Sequence, residues 1–189
     1  MNLPFVFDHI DPHGIASAFE TYGVIIVRSV LSKSEVADLR HTLDAALDDP
    51  RRRDWSELRQ PEAIRCEPVW RTMFKGPVVA ALRAALGDPL CYHSDLHVQR
   101  NAIRLDGTRR NSGWHIDAGS EQGMPYLERR DYKFCKCAVL LQDHDNGWGG
   151  GILVKPKSHR YFFEPNPVLR LAWWVATMAS KVLTKEFNM

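Results

Sequence analysis

Trp114-His115-Ile116-Asp117, followed at a distance by Gly149-Gly150-Gly151-Ile152-Leu153-Val154-Lys155-Pro156-Lys157-Ser158-His159, are the two stretches on which the fold of this chain turns. Ile152-Leu153-Val154 is an apolar, partly β-branched run between a glycine cluster and Pro156, which reads as a short strand ending in a turn. His115 and Asp117 stand two positions apart. On a strand, side chains two apart leave the same face, so an imidazole and a carboxylate would project side by side.

The His-x-Asp pattern occurs three times, and the surroundings separate the copies. His9-Ile10-Asp11 runs into Pro12, where Asp11 as N-cap and Pro12 as first helical residue is the better reading. His93-Ser94-Asp95 opens the run from Leu90 to Ile103, where a core or surface histidine suffices. The third pair follows a polar loop, Asp106-Gly107-Thr108-Arg109-Arg110-Asn111-Ser112-Gly113, and precedes the small residues Ala118-Gly119-Ser120. A short strand between two loops is how a rigid scaffold opens a site to solvent. His115 and Asp117 are therefore the candidate metal ligands, two of the three donors of a facial triad of two histidines and one carboxylate, which holds ferrous iron with open positions.

Outward from these motifs the texture divides the chain into parts of one domain. Residues 1–89 read as a helical N-terminal support around one strand. Pro12 to Tyr22 is a helix closed by Gly23, and Val24-Ile25-Ile26-Val27 is the strand. Ser32-Lys33-Ser34-Glu35 is a capping box from which Val36, Leu39, Leu43 and Leu47 continue at helical spacing. Pro77 to Leu86 repeats the helical pattern. Residues 90–164 read as strands: Cys91 to Ile103 with polar interruptions, then Tyr132 to Leu141, then the glycine-flanked Ile152–Val154. Residues 165–189 return to a helical pattern rich in Trp173 and Trp174, which read as core. Gln99 and Asn101 share one face of their strand, where cross-strand hydrogen bonding is the plain role. Cys135 and Cys137 alternate and read as two buried thiols on one side.

The 189 residues suffice for one domain with a sizeable core and are too few for two comfortable ones. A formal net charge of +2 gives no reason to expect nucleic acid or an anionic membrane as partner. Mixed signs in Asp48-Asp49-Pro50-Arg51-Arg52-Arg53-Asp54 read as a solvated turn. Cys66, Cys91, Cys135 and Cys137 fit no disulfide framework or zinc spacing. Neither a secretory signal near Met1 nor an apolar run of spanning length near the other end is visible, so a cytoplasmic location is expected.

Four stretches in this order resemble the phytanoyl-CoA dioxygenase family of non-haem iron oxygenases. They are Phe19–Val27 with Leu31–Val36, then His115-Ile116-Asp117, then Val139-Leu140-Leu141-Gln142-Asp143, and finally Gly150–His159, similar to the family's G-x-L-x-V-x-P-G-S-H segment with Lys157 in place of glycine. The resemblance implies a double-stranded β-helix, or jelly-roll, within an α+β fold, with the N-terminal helices on one face. It implies Fe(II) as metal, 2-oxoglutarate as cosubstrate and a small-molecule substrate. It places His115 and Asp117 as ligands and Gln99 and Asn101 within reach of the cosubstrate. It also implies that His159 is not the distal ligand: that histidine follows later in the family, with an arginine beyond it that pairs with 2-oxoglutarate. No histidine follows His159, and Arg170 reads as a helix residue covering the sheet. The expected jelly-roll is accordingly incomplete, with the third ligand absent. Three functions remain open: an iron and 2-oxoglutarate oxygenase, a catalytically inactive fragment or pseudoenzyme of that family, and a zinc metalloprotein using His115, Asp117 and His159 as substitute third ligand.

Overall fold

A computed structural model describes residues 3–51, 57–60, 62–92, 96–100, 133–142, 152, 154–159, 166–169, 171–172 and 175. The chain begins with a β-α-β unit. Strand β1 (Val6–Phe7) pairs in parallel with β2 (Ile26–Val27), in the register Val6 to Ile26 and Phe7 to Val27, and helix α1 (Pro12–Tyr22) connects them. The helix starts where the Asp11 carboxylate accepts the Gly14 N–H at 3.1 Å with Pro12 in the first turn. It stops at Gly23, whose φ of 71° is the left-handed conformation glycine tolerates best.

Helix α2 (Lys33–Leu47) forms as its capping box predicts: the Ser32 hydroxyl accepts the Glu35 N–H at 3.2 Å and the Glu35 carboxylate accepts the Ser32 N–H at 2.8 Å. Its buried residues Leu39, Leu43 and Leu47 recur every fourth position and make one stripe. Beyond it come β3 (Glu57–Arg59), the short helices α3 (Glu62–Arg65) and α4 (Glu67–Met73), α5 (Gly76–Leu86) and β4 (His97–Gln99). Strand β4 pairs antiparallel with β3, setting Glu57 opposite Gln99, Leu58 opposite Val98 and Arg59 opposite His97.

Among the described residues apolar side chains gather in two cores. In one, the α2 leucines pack with Leu58, Ala63 and Val69, and Val98 and Leu141 close its edge. In the other, Ile15 of α1 lies against Ala81 and Ala85 of α5, whose small side chains let the helices approach, with Phe7, Ile25 and Val27 around them. Two cationic side chains brace this layer. The Lys75 ammonium meets both Glu35 carboxylate oxygens at 2.5 Å, joining the starts of α5 and α2. The Arg100 guanidinium forks to Asp44 at 3.0 Å and Asp48 at 2.7 Å, holding the chain after β4 against the last turns of α2.

Among the described residues the first 89 positions hold three strands where the sequence pattern gave one. Strand β1 has only two residues and β3 carries a single apolar side chain, too little for either to show a period. The expected strand from Tyr132 to Leu141 joins no sheet within its described part, 133–142, where Val139 and Leu140 are exposed. The paired-buried reading of the cysteines is corrected: Cys135 is half-buried and Cys137 exposed. Neighbouring atoms still crowd both sulfurs, and that crowding, with Cys137 beside it, pushes the Cys135 thiol up to about 11. Residues 167–169 and 171–172 are helical and exposed. Trp173 and Trp174 lie outside the described residues. Among the described residues no helix is long and apolar enough to cross a membrane.

Candidate functional site

The β3–β4 ribbon turns Leu58 and Val98 toward the core, so the alternate positions Glu57, Arg59, His97 and Gln99 share the opposite face. Glu57 is the centre of that face. Its carboxylate accepts from His97 Nδ1 at 2.7 Å and from Arg59 Nε at 2.9 Å, and the Gln99 amide donates to it as well. A carboxylate cannot donate when ionised, so His97 carries a proton on Nδ1 in this arrangement. The hydrogen bond from His97 holds the Glu57 carboxyl below the usual carboxylate range, against the opposing effect of its burial; Arg59 and Gln99 add to the lowering. A carboxylate so occupied is a structural anchor and a poor general base. Gln99 thus has the cross-strand partner that its place on the strand suggested.

His159 packs against the end of α1. Its Nε2 is 3.2 Å from the Glu20 carbonyl near the end of α1, and since a carbonyl oxygen only accepts, Nε2 carries the hydrogen. Its ring rests over Gly23, with Nδ1 on the side where a side chain at that position would begin. Lys157, two residues earlier, donates its backbone N–H to the Tyr22 carbonyl at 2.7 Å and sets its ammonium 5.5 Å from the centre of the Tyr22 ring.

Asp11 is the N-cap of α1, as its Pro12 neighbour suggested. His115, Asp117, Asn101 and Arg170 lie outside the described residues, as does the pair His93 and Asp95. Among the described residues no group of three histidine, cysteine, aspartate or glutamate side chains is placed to hold a metal ion. Of the cosubstrate candidates, only Gln99 has described surroundings. Sequence reading passed over Glu57. Its signal was the polar–apolar–polar alternation of Glu57-Leu58-Arg59, which gains meaning only once β4 supplies the partner strand.

Comparison with known proteins places a relative beside these observations. The chain is similar to an ectoine dioxygenase. That protein, from Sphingopyxis alaskensis, is 26% identical over 161 residues, covering 78% of this chain and 49% of the relative. The chain thus spans about half the length of the curated relative it matches. No family model and no solved structure matches the chain.

Proposed function

We propose that this chain carries the metal-binding part of an Fe(II)- and 2-oxoglutarate-dependent dioxygenase of the phytanoyl-CoA dioxygenase type, built on a jelly-roll and acting on a small molecule. The observation that carries the reading is the similarity to a dioxygenase along most of the chain, in which the family's motifs also keep their order. That similarity covers 78% of the chain, a span too long for the short motifs alone to produce. His115 and Asp117 would supply two iron ligands. Iron and 2-oxoglutarate would supply the oxidising chemistry, with the protein positioning them and excluding water.

The position of His159 favours this reading over a zinc centre built from His115, Asp117 and His159. A histidine ligand must offer an unprotonated nitrogen. With the Nε2 hydrogen of His159 directed at Glu20, the nitrogen left to bind a metal is Nδ1, and it is buried against Gly23.

The reading is tested by titrating the purified chain with Co2+ under anaerobic conditions, with and without 2-oxoglutarate, and following the visible absorption of the bound ion. Binding that weakens at least tenfold in both His115→Ala and Asp117→Ala, and persists in His159→Ala, is the expected result. Equal binding by the parent chain, His115→Ala and Asp117→Ala would overturn the assignment of both ligands.

A further inference from the structure

We infer that residues 154–159 form a strap that closes the C-terminal end of α1, with His159 as its key, seated in space that exists only because residue 23 is glycine. The last carbonyls of a helix have no partner inside it and must find one elsewhere. In α1 the Glu20 carbonyl receives the His159 Nε2–H at 3.2 Å, from a residue 139 positions away in sequence. The Tyr22 carbonyl receives the Lys157 backbone N–H at 2.7 Å. The strap is bent to make both contacts: the Ser158 N–H returns to the Lys155 carbonyl at 3.1 Å, and Lys157 adopts φ 70°. A tilted ring contact extends the closure inward, since the Tyr22 ring beneath Lys157 lies 5.4 Å from the ring of buried Phe5 beside β1.

Gly23 therefore answers two demands at once. Its φ of 71° favours glycine in any protein. Here a Cβ would in addition fall 2.2 Å from His159 Nδ1 and 2.7 Å from its Cγ, closer than a Cβ comes to any atom it is not bonded to. The strap gives His159 a role that needs no metal and that ties the residues after the glycine cluster to the β1-α1-β2 unit. It stands or falls independently of the oxygenase reading.

A double-mutant cycle on the purified chain separates the two demands. Gly23→Ala in an otherwise unaltered chain meets both the left-handed backbone and the imidazole; in the His159→Ala background it meets only the backbone. The backbone cost alone corresponds to about 3–6 °C in melting midpoint for a chain of this size. The expected result is a drop of that size in the His159→Ala background and one at least twice as large in the parent. Equal drops in both backgrounds would overturn the strap. Should Gly23→Ala fail to fold, amide hydrogen exchange decides. His159→Ala should speed exchange at the Lys157 N–H at least tenfold, and unchanged protection there would equally refute the inference.

Discussion

Replacing Glu57 by glutamine keeps the shape of the side chain at the centre of the β3–β4 ribbon and removes its charge. Glutamine offers one accepting oxygen and an NH2 group, which would face donors on His97, Arg59 and Gln99 where the carboxylate had offered acceptors. The Arg59 pair contributes little, because the guanidinium is 71% exposed and water screens it. The His97 contact is shorter, at 2.7 Å, and the Glu57 side chain is only 13% exposed, so its loss sets the magnitude. A hydrogen bond to a charged group contributes about 1.5–3 kcal/mol, and the partial exposure of His97 moves the expectation to the bottom of that range, about 1.5–2 kcal/mol. Urea unfolding followed by far-UV circular dichroism measures it directly. The sign of the pH dependence follows from the lowered carboxyl. Its folded value lies below the ordinary 4.5, so the unfolded chain binds the proton more readily. The stabilisation is complete above pH 4.5 and is lost as pH falls through the depressed value. Glu57→Gln should therefore flatten the acid limb of the stability profile as well as lower its plateau. A variant within about 0.3 kcal/mol of the parent across the whole range, a margin well inside the expected loss, would refute the anchoring role.

Other substitutions probe the frame around that ribbon. Leu47, 1% exposed in the larger core, should cost about 2–5 kcal/mol when changed to alanine, read from the shift in urea midpoint. Ser32→Ala removes the cap of α2 and should cost about 1 kcal/mol by the same measurement. The Glu35 carboxyl is lowered to about 2, first by its hydrogen bond from Lys75. NMR titration should find it ionised through pH 4, and Lys75→Met should raise its midpoint toward 4.5. Lys157 holds a left-handed backbone that costs lysine about 1 kcal/mol, which Lys157→Gly recovers while giving up a similar amount in unfolded-chain entropy and in the contact with Tyr22. That variant should be near neutral, whereas Lys157→Val, branched at Cβ, should lower the melting midpoint.

What was legible in the sequence, and what was not, follows the range of the interactions involved. The limits of α1 were readable because Asp11, Pro12 and Gly23 act within a turn of where they stand, and the capping box of α2 spans only Ser32 to Glu35. The small helices α3 and α4 were not, since four and seven residues are too few for a helical period, and the N-cap of α4, Cys66, makes no side-chain capping bond. Strand β1 exists through its pairing with β2, and β3 through its pairing with β4, partners that lie beyond any local window. The same reason hid Glu57, whose neighbours His97 and Gln99 stand 40 or more positions away. The segment ending in His159 shows the converse. Where the resembling family has glycine this chain has Lys157, which taken alone would argue that the turn is different. Yet Lys157 adopts φ 70°, the conformation for which glycine is the usual choice. The turn is therefore held by what surrounds it, the Tyr22 carbonyl on its N–H and the His159 ring over Gly23, and these contacts outweigh the backbone preference of the residue at its centre. A motif of this kind is specified by the surface it docks on as much as by its own letters, which is why Gly23 and His159, far apart in the chain, must be read together.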